Sequence, residues 1–101
     1  ESMFSSNDAF NQDISEWNVE NVEMMRKMFK NSDAFNQDIG SWNVSNVTNM
    51  DEMFNAAASF NQDLSSWCVT NITSEPTDFS TSSPLTEANK PVWGTCPSNL
   101  K

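Results

Sequence analysis

The chain copies itself every 25 residues, and no other property of the sequence constrains its fold as tightly. Met28–Phe29 recurs as Met3–Phe4 and Met53–Phe54, and Phe79 falls in the same register. The string FNQD begins at Phe10, Phe35 and Phe60, and Trp17, Trp42 and Trp67 follow seven residues behind. Val19, Val44 and Val69 come next, then Asn21, Asn46 and Asn71, then Val22, Val47 and Ile72, without insertion or deletion as far as Phe79. A fixed period of this length is the signature of a solenoid, in which no unit buries its own apolar face and stacking buries it instead.

Within one unit the apolar spacing changes, and that divides it into elements. Met50, Met53, Phe54 and Ala57 are spaced i, i+3, i+4, i+7, which predicts a short amphipathic helix; Met25, Met28, Phe29 and Ser32 predict another. Thr48, with Asp51 three residues on, reads as its N-cap, and Ser74-Glu75-Pro76 keeps the start signal in the last copy. Arg26, Lys27 and Lys30 lie toward the end of the earlier helix, where cations favour the dipole. Trp17-Asn18-Val19 and Trp42-Asn43-Val44 alternate apolar and polar, which predicts short strands with Trp and Val facing inward and a parallel ladder between copies. Between helix and strand, FNQDI predicts a bend with Phe and Ile inward and Asx-turns at the polar residues. The expected fold is an α/β solenoid of about three units (strand, bend, helix) over residues 1–79. Residues 80–101, where the pattern dissolves and Leu85 alone keeps its slot, form a C-terminal cap.

Written from the strand onward, a unit reads W-x-V-x-N-V-T-x-M-x-x-M-F-x-x-A-x-x-F-N-Q-D-I. This resembles the BspA-type surface leucine-rich repeats, in the 25-residue variant found in mycoplasma surface lipoproteins and large marine bacterial surface proteins. The resemblance covers residues 1 to about 79. It implies leucine-rich-repeat strand positions at Trp17, Val19 and their copies, an extracellular address and a role in adhesion; it implies no defined ligand.

Composition narrows the partners. A net charge of −9 and a pI near 4.1 disfavour nucleic acid and anionic membrane surfaces. No apolar run approaches the 18 or so residues a membrane span needs. Glu1 opens in mid-unit with no signal peptide, so the sequence reads as a piece of something longer, whose first coil continues into further units or meets another chain. The two cysteines are Cys68, in the slot of Asn18 and Asn43, and Cys96, in the non-periodic tail. A Cys68–Cys96 disulfide would brace the last coil by roughly 3–4 kcal/mol and point to an oxidising, extracellular compartment; the alternative is two unpaired buried thiols.

Three places could carry function. With Trp and Val inward, Glu16, Asn18, Glu20, Ser41, Asn43, Ser45, Ser66 and Thr70 form a polar outer face suited to a protein or glycan surface; the plain alternative is a solvated face with no ligand. Asp13, Asp38 and Asp63 form a carboxylate column, held by local turn bonds or by calcium, which needs six or more oxygens per ion. Catalysis by paired carboxylates requires pKa values driven apart, whereas copies in like environments do the opposite, and the chain has no His. Asn43-Val-Ser45, Asn46-Val-Thr48 and Asn71-Ile-Thr73 match glycosylation acceptors, but the period generates them automatically. The expectation is a non-catalytic adhesion or binding module without a required cofactor, or else a structural spacer with no ligand of its own, stabilised by calcium if by any ion.

Overall fold

The apolar spacing of Met50, Met53, Phe54 and Ala57 belongs to a pair of tight turns, not to a helix. In the structure, a computed structural model that describes residues 3–97, Met53 N–H donates to Met50 O at 3.1 Å and Ala57 N–H to Phe54 O at 3.0 Å. The third residue of each turn, Glu52 and Ala56, is left-handed with φ of 59°, as a type II turn requires. Turns 25–28 and 29–32 are built alike, with Lys27 at φ 61° and Asn31 at φ 60°. Two consecutive four-residue turns put their first and fourth residues on one side. They therefore reproduce the i, i+3, i+4, i+7 spacing, and all four apolar residues are buried as a helix would have buried them.

The expected caps and dipole contacts are replaced as well. Thr48 directs both its N–H and its hydroxyl to Glu23 O, and the Asp51 carboxylate accepts from Thr77 N–H. Lys27 and Lys30 both reach Glu52, at 4.0 and 2.8 Å. A helix would use its N–H groups internally, whereas here alternate ones leave the segment. Met25, Lys27, Phe29 and Asn31 donate to the carbonyls of Asn49, Asp51, Met53 and Asn55 at 2.8–2.9 Å. Glu52, Phe54 and Ala56 donate in the same way to Thr77, Phe79 and Thr81.

The expected strand at 42–44 alternates in burial, but no ladder pairs the expected strands among the described residues. Trp42 and Val44 are buried while Ser41 and Asn43 are exposed. Trp42 N–H, however, turns back to Ile39 O, and Val47 N–H to Val44 O. The Asn46 and Asn71 side-chain amides donate to Glu20 O and Ser45 O at 2.6 and 3.0 Å. Backbone groups that a ladder would pair are thus taken by local turns and by asparagine side chains. Among the described residues, regular structure is limited to one parallel bridge, Met24 with Asn49, and a 3-10 turn at Glu87–Asn89. The α/β solenoid of leucine-rich-repeat type is therefore corrected: with almost no helix or strand and no sheet, the chain folds as a small body of 35 × 25 × 21 Å held by turns.

The core is two columns of phenylalanine rings. Phe4, Phe29 and Phe54 stack at 5.6 Å, and Phe10, Phe35 and Phe60 at 5.7 Å, near-parallel throughout. The columns touch each other at 4.1 Å between Phe29 and Phe35 and 4.2 Å between Phe54 and Phe60. Beside them the indole N–H groups of Trp42 and Trp67 donate to Ile14 O and Ile39 O, each at 3.0 Å, which resolves the polar atom of a buried Trp. Trp17, expected inward, is instead exposed at the end of the body.

Phe79 is also corrected, by one position. Left-handed residues step by 25 from Lys27 to Glu52 but by 26 from Glu52 to Asp78. Phe79 therefore occupies the place of Met53 and not that of Phe54: Phe29 N–H meets Met53 O, and Phe54 N–H meets Phe79 O. Its ring stands edge-on to Phe54 at 86° and ends the column, and Trp93 stands edge-on to it in turn at 4.9 Å. Around it the tail binds back: Leu64 N–H to Asn89 O, Val69 N–H to Thr95 O, and Gly94 N–H to Val69 O. Cys68 and Cys96 form the expected disulfide, their Cα atoms 4.1 Å apart.

Candidate binding groove

The outward face around Trp42 is shaped by short polar side chains that fold back on their own backbone. Asn43 Oδ1 accepts from Ser45 N–H at 3.1 Å and from the Ser45 hydroxyl at 2.7 Å, an Asx-turn of the kind Asn favours. The Ser66 hydroxyl donates to Gly40 O at 3.1 Å. Together Gly40, Ser41, Trp42, Asn43, Ser45, Ser66 and Cys68 line an open groove of about 540 Å³. No charged side chain lines it, although the chain carries a net charge of −9. Its hydrogen-bonding groups without a protein partner among the described residues include the Asn43 amide nitrogen and the Ser41 hydroxyl.

Two departures from the 25-residue pattern meet in this groove. Gly40 stands where the other copies have Ser15 and Ser65, and Cys68 where they have Asn18 and Asn43. A Cβ at residue 40 would collide with Asp63 O, so the close approach of that carbonyl requires glycine. Of the eight residues expected on the polar face, the groove gathers Ser41, Asn43, Ser45 and Ser66. Glu16, Asn18, Glu20 and Thr70 are exposed but do not line it. Gly40 and Trp42 were not in that set; Gly40, the sole glycine of the periodic stretch, was the available signal.

The carboxylate column is tied into turns. Asp13 Oδ1 accepts from Ser15 N–H and hydroxyl at 3.0 and 2.6 Å, and Asp63 Oδ1 from Ser65 at 2.9 and 2.6 Å. Those serine hydroxyls, with the backbone N–H groups behind them, hold both carboxyls below their usual 3.8. Among the described residues Asp38 accepts from Gly40 N–H alone. Among the described residues no three Asp, Glu or Cys side chains converge as a metal-holding group.

Two further hollows are lined by other residues. One of about 300 Å³ lies between residues 48–51 and 71–77. Another of about 440 Å³ is bounded by Glu75, Asp78, Phe79 and Lys90. Burial pulls the Lys90 ammonium down, but its bonds to Glu75 and Glu87 at 2.8 and 2.7 Å outweigh that and raise it above 10.5. No helix among the described residues is long and apolar enough to cross a membrane.

A turn-built body tied by one disulfide, with an uncharged groove on one face, is the class these features define. The chain belongs to the family described as Mycoplasma protein of unknown function, DUF285, whose profile matches residues 1–93. That bears out the mycoplasma side of the resemblance and not a leucine-rich repeat. No curated protein and no solved structure matches the chain.

Proposed function

We propose that this chain is a non-catalytic binding module of a bacterial surface protein, which takes a protein or glycan partner in the groove at Ser41, Asn43, Ser45 and Ser66. The carrying observation is that two departures from the 25-residue pattern, Gly40 and Cys68, border the same uncharged cavity. A neutral lining of hydroxyl and amide groups over a Trp and a disulfide suits hydrogen-bonding, uncharged ligand surfaces. Affinity of such a site rests on shape and hydrogen bonding more than on charge steering. The disulfide favours an oxidising, extracellular setting, in keeping with a cell-surface address.

A glycan array and a cell-binding screen test the reading. The native chain is compared with Ser66→Arg, which fills the groove from an exposed position. Saturable binding lost in the variant, with unchanged melting, is the expected result. A flat response from the native chain would favour a structural spacer with no ligand of its own.

A further inference from the structure

At the end opposite the tail, the body leaves a face that is both apolar and rich in unpaired donors. Met3 is 66% exposed and Trp17 44%, against 8% and 0% for Met28 and Met53, and 4% and 1% for Trp42 and Trp67. Four donors there have no partner among the described residues: Asn11 N–H, the Gln12 side-chain amide, the Trp17 indole N–H and the Asn21 side-chain amide. Their partners are written twice elsewhere in the molecule. Asn36 N–H donates to Asn11 Oδ1 at 2.9 Å, and Asn61 N–H to Asn36 Oδ1 at 3.0 Å. Gln37 and Gln62 side chains donate to the carbonyls of Asn11 and Asn36, both at 3.0 Å. The Trp42 and Trp67 indoles meet Ile14 O and Ile39 O, and the Asn46 and Asn71 amides meet Glu20 O and Ser45 O. The same four bonds thus form at two boundaries, and the third set of donors, 25 residues earlier, is unmatched.

We infer that this face docks a polypeptide segment of the same 25-residue pattern. Its Asn side chain and carbonyls accept the four bonds, and its Phe pair extends the two ring columns beyond Phe4 and Phe10. A second copy of the chain, docked through its tail end, fits less well. There Asn61 Oδ1 already accepts from Thr86 N–H and Asn89 Nδ2, and Trp93 covers Phe79. A net charge of −9 on each copy also opposes their approach.

The test duplicates residues 26–50 directly ahead of Glu1, which preserves the 25-residue step. Hydrogen exchange at the indole N–H groups is read by NMR, with Trp42 and Trp67 as internal standards. The expected result is that Trp17 exchange slows by about 100-fold, toward the rate of Trp42, while a scrambled 25-residue extension leaves it fast. Three results would overturn the inference: unchanged Trp17 exchange, equal protection by the scrambled extension, or an extended chain in which Trp42 and Trp67 lose protection. Protection of Trp17 in the unextended chain that grows with protein concentration would assign the face to a second copy and overturn it too.

Discussion

Replacing Ala56 and Ala57 by glycine, one at a time, should shift stability in opposite directions. Ala56 is the third residue of the turn 54–57 and has φ of 59°. An L-residue with a Cβ costs roughly 1–2 kcal/mol there, and glycine does not. Glycine adds about 0.4–1 kcal/mol of unfolded-chain entropy, which offsets part of that relief. The net expectation for Ala56→Gly is a gain of about 0.5–1 kcal/mol, with its N–H bond to Thr81 O at 2.7 Å kept. Ala57, one residue on, is fully buried and is not among the left-handed residues. Ala57→Gly loses a buried methyl, about 0.8 kcal/mol, as well as the entropy term, and should cost about 1–2 kcal/mol. Urea melts followed by tryptophan fluorescence measure both. In a helix over 50–57 each substitution would cost about 1 kcal/mol or more, so a loss of that size at Ala56 would refute the tandem-turn reasoning.

Phe35→Ala should cost about 3–5 kcal/mol, because the fully buried ring is the middle member of one column and stacks on Phe29 of the other, whereas Ser41→Ala on the outer face should stay within about 0.5 kcal/mol; equal effects in urea would mean the faces are assigned backwards. The Lys30 ammonium bonded to Glu52 holds that carboxyl below its ordinary 4.5. A lowered folded-state pKa stabilises above 4.5 and is lost as pH falls through the folded value, so the native chain should lose more stability than Glu52→Gln between about pH 5 and 3, and parallel pH curves for the two would remove the pair from the account. With Asp13, Asp38 and Asp63 each satisfied by turn donors, EDTA should leave Tm unchanged and millimolar calcium should not raise it; a rise of several degrees would show an ion bound to the folded state. Reducing Cys68–Cys96 should cost about 2–4 kcal/mol, with hydrogen exchange rising first over residues 64–79, and an unchanged urea midpoint in reductant would deny the bridge that role.

Most of the side chains that face inward could be read from polarity in the sequence, Ile14, Phe35, Ile39, Trp42, Val44 and Leu64 all being buried, while Trp17 is an exception. The backbone path could not be read, for a specific reason. Tandem turns and one helical stretch share the same apolar spacing, and what separates them is a left-handed residue at the third position of each turn. Such positions usually announce themselves as Gly or Asn. Among the described residues of the periodic turns they hold Ser6, Lys27, Glu52, Ala56, Asp78 and Ser82, with Asn31 conforming there and Gly94 in the tail. The strand expectation failed for a related cause. Asn43 was read as the outward member of an alternating triplet, but its side chain takes Ser45 N–H, and Asn46, just beyond the triplet, donates to Glu20 O, so backbone groups that a ladder needs are occupied by asparagine side chains.

The period itself explains why half of the expected polar face lies outside the groove. A site built only from residues common to every unit would appear at every unit, and a face of like units is uniform rather than concave. A distinct cavity therefore needs a break in the pattern. The break at residue 40 removes a side chain and admits the Asp63 carbonyl. The one at residue 68 exchanges an amide for a sulfur tied to Cys96. Read separately, the glycine is a tolerated gap and the cysteine a brace for the tail. They lie 28 residues apart in sequence, and the 25-residue step brings them to adjacent units on the same face, where the tail is anchored through Cys68 at the groove's own edge. Brace and candidate site thus share a residue, so a partner held in the groove would sit against the bond that stabilises the last unit.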